Sequence, residues 1–429
     1  MSAQPAAEPA AQSAGPAAPQ RAALARARHW AGVVLDPSAL AMRRIALAGV
    51  VASAAIIPTG AAVRLSQSGL GCTNWPKCTA TSLVAAGASG DPLIHRWIEF
   101  GNRMITAVIF VIAIAVFVAA WRFRDGHARA GQDGGQARAG QARAGQTRAG
   151  QDGAGQRGSR RRDLVWLASA QPAGIAIQAG VGGIVVLTKL APFWVSLHYL
   201  ATIPVLAAAV ALHVRCTESA ARGRPLVPRL VRLVALALVA VVAVMFAAGT
   251  LVTGTGPLAG ARSVPRYHFL SLTAVTQLHA DIGWALGVLA LALALMLQLV
   301  NAPARAVRLS WLVLGLIGLQ GVIGYAQYFS GLPAGLVWVH VANTALIWIA
   351  VLRLTFALRD RGWPGEPAPG QPDATIAQTG SAQIGSAQTG SAQTGSAQAG
   401  SAQAGSAQAA STVTGQPIAK PLSGDAAVR

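Results

Sequence analysis

Val195-Ser-Leu-His198-Tyr-Leu-Ala-Thr-Ile-Pro204-Val-Leu-Ala-Ala-Ala-Val-Ala-Leu-His213-Val-Arg215-Cys216 carries a single formal charge, at Arg215, in 22 residues. At 1.5 Å per residue such a helix covers about 33 Å, enough to cross the roughly 30 Å hydrocarbon core of a bilayer. It also holds an imidazole, His198, within its first two turns. A polar ring inside a lipid-facing bundle is costly unless it binds or pairs with something. Seven further apolar runs flank it, at 44–63, 98–121, 164–187, 230–254, 274–300, 308–327 and 336–358. Together they predict an all-α membrane protein of eight transmembrane helices.

Composition agrees. Hydrophobic residues make up 53% of the 429 and charged residues 11%, against about 25% charged in soluble domains. The net charge of +20 is not a nucleic-acid footprint, because the arginines sit in loops and tails between apolar runs. No cleavable signal peptide is expected, since the first apolar run is long enough to span. With the N-terminus inside, only Arg64, Lys77, Arg96, Arg103, Lys189, Arg262 and Arg266 fall on outer segments or outer helix ends. The other 27 of the 34 basic residues fall inside. The positive-inside rule thus predicts a multi-pass cell (plasma) membrane protein with both termini cytoplasmic. Cys72 and Cys78 would lie in the first outer loop and Cys216 at the inner end of the fourth helix. A close pair outside and a lone thiol inside suit an oxidising exterior, and a Cys72–Cys78 disulfide is expected rather than two free thiols. Zinc is disfavoured, because two thiols without a paired His fall short of a tetrahedral set.

Residues 125–159 repeat Ala-Gly-Gln with Arg or Asp, and 370–410 repeat Gly-Ser-Ala-Gln. Neither has large apolar residues to pack, so a disordered cytoplasmic insert at 125–159 is expected. A disordered N-tail over 1–43 and a disordered C-tail over 359–429 are expected likewise. The remainder divides into a first half at 44–216, a linker at 217–229 and a second half at 230–358.

The two halves are a duplication. Gly180-Val-Gly-Gly183 in the third helix answers Gly321-Val-Ile-Gly324 in the seventh, and Thr59-Gly60 answers Thr253-Gly254. His198 and His340 are 142 residues apart; Asn102 and His279 are 177 apart. These offsets differ by 35, the length of 125–159, so one register relates both halves once that insert is removed. Four helices per half is an even number, which makes the halves two parallel-repeat four-helix bundles.

Asn102, His198, His279 and His340 therefore share one depth, near the outer end of every second helix. Two ligands on facing helices of a bundle can hold one heme iron from both sides. The second half offers a full pair, His279 and His340. The first offers His198 opposite Asn102, a poor iron ligand, so its heme would be held by one protein ligand or more loosely. The bland alternative for each His is an interfacial ring reaching water, which is the reading for His213. His29 and His127 carry no signal, and His268 could approach a heme edge. Glu99 precedes Asn102 by one turn and has no counterpart, since Thr276 holds the matching position. It is either paired with Arg103 or His95, or an acid/base beside the loosely held heme. Asp281 is a second-shell or interfacial residue. Arg64 and Arg103 could meet heme propionates or lipid headgroups.

The chain resembles the heme A synthase family of cytochrome oxidase assembly, in its actinobacterial-type variant. The resemblance covers about 44–358. It rests on Thr59-Gly-Ala-Ala-Val-Arg64-Leu-Ser-Gln-Ser-Gly-Leu-Gly-Cys72 with Trp75-Pro76 and Cys78, on Trp97-Ile-Glu99-Phe-Gly-Asn102-Arg103, on Gln277-Leu-His279-Ala-Asp281, and on the His198 and His340 helices. It implies that His279 and His340 bind a permanent heme b. It implies too that the first half receives heme O and oxidises its C8 methyl to a formyl group, giving heme A. The family's glutamate falls on Glu99; its first-half His pair falls on Asn102 and His198, where this chain departs. Successive hydroxylations with Glu99 handling protons would follow, with His198 on the substrate iron. Handover from a heme O synthase and to cytochrome c oxidase is implied, with membrane lipid around the chain; a homo-oligomer stays open.

Two other readings compete. A di-heme, cytochrome b-type quinol electron-transfer protein would have two tight bis-His sites, which Asn102 disfavours. A heme transporter would have helices broken at mid-membrane in matching places, and Pro172 and Pro204 form no such repeated pair.

Overall fold

The computed structural model describes residues 18–85, 93–124, 160–261 and 263–362, all within one compact unit. Its helices are α1 (Ala18–Leu35), α2 (Ala39–Leu65), α3 (Leu93–Arg122), α4 (Arg162–Leu187), α5 (Pro192–Leu200) and α6 (Thr202–Arg215). They continue with α7 (Arg229–Thr255), α8 (Leu272–Leu299), α9 (Ala304–Phe329) and α10 (Ala334–Ala357). Eight spans are long and apolar enough to cross a membrane, α5 and α6 together making the fourth. Their flanks carry large apolar side chains turned outward, such as Trp166 at 77% exposure and Leu299 at 82%. Water would penalise such a surface, and lipid would not.

Each half closes into a ring. In the first, α2 packs on α3, α3 on α4, α4 on α6 and α6 back on α2. In the second, α7, α8, α9 and α10 repeat that order and α10 returns to α7. The rings meet where α10 lies against α2 and α6, and α5 against α7. Hydrophobic association is weak in lipid, so close backbone approach and hydrogen bonds join such helices. Trp348 Nε1 donates to the Ile203 carbonyl at 3.1 Å, and Trp338 Nε1 to that of Pro58 at 2.8 Å. The Phe246 ring sits edge-on between Tyr199 and Trp348.

Several expectations need correction. Helix α1 and the start of α2 occupy part of the stretch 1–43 expected to be disordered; its Ala and Arg residues are strong helix formers. The linker and the start of the C-tail are not free either. Arg224–Pro225 (β1) pairs antiparallel with Arg359–Asp360 (β2). The fourth span is broken at Ala201. Pro204 lacks the N–H that the Leu200 carbonyl would accept, and its ring crowds that carbonyl. The insert 125–159 with His127, Arg262, residues 1–17 and the tail from 363 lie outside the described residues. The ends of the insert are pinned together by a bridge between Arg124 and Arg160, and the Arg160 guanidinium stacks on Trp121 at 4.4 Å.

The end of the fold opposite the four ligand positions is held by ion pairs. Arg161 and Arg215, both buried, converge on Asp163, and Arg215 also meets Glu218 at 2.8 Å. Arg359 reaches Glu218 at 3.4 Å and Ser219 Oγ donates to the Arg361 carbonyl, which ties the end of α10 to that of α6. His213 is buried here, its Nδ1 donating to the Arg43 carbonyl at 3.3 Å, so it is a packed residue and not an interfacial one.

Candidate heme-ligand site

His279 and His340 come together. Their ring centres are 6.3 Å apart with planes inclined 55°. With metal–nitrogen bonds of about 2 Å and about 1.1 Å from nitrogen to ring centre, two imidazoles on one iron stand about 6.2 Å apart. Coaxial rings turn freely about their common axis, so the inclination is compatible. Among the described residues no three His, Cys, Asp or Glu gather around a point. The pair thus suits a metal whose other ligands arrive with it, as in a tetrapyrrole.

Three glycines seat the three histidines. A Cβ at Gly182 would stand 3.2 Å from His198 Cε1; at Gly249, 3.3 Å from His279 Cε1; at Gly324, 3.3 Å from His340 Cε1. Each imidazole therefore brings its Cε1 edge against a neighbouring helix, where a larger residue would crowd it. Nδ1 of all three rings is buried without a partner. That leaves Nε2 as the nitrogen reaching accessible space and free to ligate.

The fourth seat is different. Gly60 lies five residues before the end of α2 and Gly249 six before the end of α7. The two glycines thus sit at similar distances from the C-terminal ends of their helices. Gly254 instead packs under Tyr267, whose ring would be 2.7 Å from its Cβ. At Gly60 an added Cβ meets nothing within 4 Å. Asn102, its Oδ1 buried without a partner, lines a cavity of about 260 Å³ between α2 and α3, together with Thr59, Val63, Gly101 and Ile105.

Glu99 is buried and engaged at both oxygens. Oε2 accepts from the Cys72 amide at 2.7 Å and Oε1 from Arg103 Nη2 at 2.6 Å. Of the two alternatives for Glu99, the pairing with Arg103 is present; His95 instead bonds Ser68 Oγ at 2.8 Å. Arg103 also donates to the Asn74 and Lys77 carbonyls, each at 3.2 Å. Glu99 and Arg103 thus grip the loop closed by the Cys72–Cys78 disulfide, which is formed. Trp75 of that loop packs on Gly183, next to the His198 seat. Arg64 Nη1 donates to the Leu258 carbonyl at 3.1 Å and Gly69 N to the Gly260 carbonyl at 3.2 Å, joining the loops of both halves. Asp281 accepts from Gln277 at 2.7 Å.

Sequence reasoning missed Gln178 and Gln320. Their amides donate to the carbonyls of His198 and His340, at 2.9 and 3.0 Å. Both precede their histidine by 20 residues, a repeated spacing visible in the sequence.

Fold and site define a multi-pass helical membrane protein whose spans close into two rings, one of which brings two histidines together. Residues 43–352 match the family described as cytochrome oxidase assembly protein, and the chain belongs to it. Shorter stretches are similar to proteins named heme A synthase. From Geobacillus thermodenitrificans the identity is 34% over 71 residues, 16% of this chain and 20% of the relative. From Geobacillus kaustophilus it is 34% over 70 residues, again 16% and 20%. From Lysinibacillus sphaericus it is 35% over 89 residues, 20% of this chain and 27% of the relative. In these matches the chain spans only about a fifth to a quarter of the relatives' length.

Proposed function

We propose that the chain is a heme A synthase, an oxidoreductase that converts the C8 methyl of heme O to a formyl group. The observation that carries this is the inequality of the two pairs. His279 and His340 are spaced for one iron and would hold heme b permanently, as a relay of electrons. In the first half His198 rests against Gly182, Asn102 stands where the other half has His279, and this weaker pair would hold a heme that arrives, reacts and leaves. Each of two hydroxylations would insert one oxygen atom from an external oxidant and remove two electrons from the methyl carbon; the resulting gem-diol then loses one of those oxygens as water, leaving the aldehyde. Glu99, one turn from Asn102, would hold or move protons at the mouth of this site and keep the disulfide loop over it. Arg64 has donors left for a propionate, whereas Arg103 acts through the loop it clamps.

The same reading places the four ligand positions at the outer face of the plasma membrane and both termini in the cytoplasm, following the bias of basic residues. It divides the chain into a substrate half at 44–216 and a cofactor half at 230–358. It takes heme O from a heme O synthase and passes heme A to cytochrome c oxidase. The test is to purify the protein, identify its pigments, and supply heme O with a reductant. Appearance of the formyl product supports the synthase; two tightly held hemes with no product would favour electron transfer instead.

A further inference from the structure

The halves differ at one more place, behind the histidines. Gln320 donates to the His340 carbonyl, and its Oε1 in turn accepts from Asn343 Nδ2 at 2.9 Å. Asn343 also donates to the Leu316 carbonyl at 3.1 Å, so the clamp closes on two helices, α9 and α10. In the first half Gln178 donates to the His198 carbonyl, but Gln178 Oε1 is buried with no partner. The residue 142 positions before Asn343 is Ala201, which has nothing to donate. Ala201 is also where α5 ends and α6 begins. The break follows from Pro204; the matching residue is Leu346, and α10 runs through unbroken. Shared features argue against accident: Thr202 and Thr344, also 142 apart, both donate to the carbonyl three residues back, at 2.6 Å.

We propose that Gln178 and Ala201 form a half-made clamp that lets His198 ride on the short helix α5 about a hinge at Ala201. A heme on His198 then dissociates faster than one on His279 and His340. The proposal rests on the reading of the first half as the substrate site and deepens it, by naming the residues that set how long the substrate stays. Neither residue is a ligand; both act on the position of one. The looser backbone anchor adds to the weaker ligand set of the first half and speeds exchange without removing His198 as a ligand.

The test uses the full chain in detergent micelles, loaded with hemin and mixed with excess apomyoglobin as scavenger. Release is followed by absorbance and should show a fast and a slow phase. Ala201→Asn installs the missing donor. It should slow the fast phase about tenfold, the worth of one buried hydrogen bond, and leave the slow phase alone. Asn343→Ala should speed the slow phase about as much and leave the fast one. A folding defect would not slow release, so the first variant separates positioning from general damage, and the second tests the clamp if the first does not fold. If two hemes load and both variants leave both rates unchanged, the clamp is overturned. If the wild type loads a single heme, the two-site reading beneath it falls instead.

Discussion

His279 and His340 face each other across the second half at 6.3 Å between ring centres, although 61 residues separate them in the chain. Their approach needs no charge and no hydrogen bond between them. Gly249 and Gly324 leave room for the two rings against the neighbouring helices.

Removing either ring leaves one ligand where two were. His279→Ala or His340→Ala should abolish the tightly held heme, while pigment bound through His198 persists. A pyridine hemochrome assay of the purified variants checks this: wild-type heme content in both would refute the pair as axial ligands.

Asn102→His should fill the seat over Gly60 and give the first half a second strong ligand. Its heme should turn low-spin in optical and EPR spectra, and heme A formation should fall because the substrate no longer leaves. A spectrum indistinguishable from wild type would show that position 102 does not face the iron.

Glu99 joins two jobs, holding the Cys72 amide and pairing with Arg103. Breaking a buried ion pair by removing one partner typically costs about 3–5 kcal/mol, so Glu99→Ala should lower the melting temperature measurably. Heme b content should be kept and turnover lost. Retained full activity would remove Glu99 from the chemistry and leave it a loop anchor alone.

Cys216 lies outside the spans and is buried. Burial disfavours its thiolate and pushes the thiol up to about 12. In the unfolded chain the thiol ionises near 9, so raising the pH between these values favours unfolding rather than folding. At pH 8 a thiol of that pKa is only about one part in ten thousand thiolate. Iodoacetamide should therefore label Cys216 only in denaturant. Rapid labelling of the folded protein at pH 8 would contradict the burial.

The eight spans were legible because lipid demands long apolar runs. The approach of His279 and His340 was legible because polar residues in such runs are rare. What escaped was set by contacts distant in sequence or by backbone detail. Glu99 reaches the Cys72 amide 27 residues away through a folded loop. The break at Ala201 depends on Pro204, and a proline within a span is often accommodated. Gln178, Gln320 and Asn343 were passed over because amides carry no charge and bind iron poorly. Helix α1 was missed because its Ala and Arg content reads equally as a solvated tail.

The glycine seats give a contrast that sequence alone does not contain. At Gly324 and Gly249 a Cβ would already crowd an imidazole at 3.3 Å, and the branches of a valine would come closer still. Gly324→Val or Gly249→Val should displace His340 or His279 and release the tightly held heme. At Gly60 a Cβ meets nothing within 4 Å. Gly60→Ala should bind heme normally and, as a glycine replaced within a helix, gain roughly 0.5–1 kcal/mol of stability. Heme content and melting temperature of the three variants decide the matter. Equal loss of heme at all three positions would mean that the fourth seat is filled like the others, and that Asn102 does not stand where an imidazole is missing.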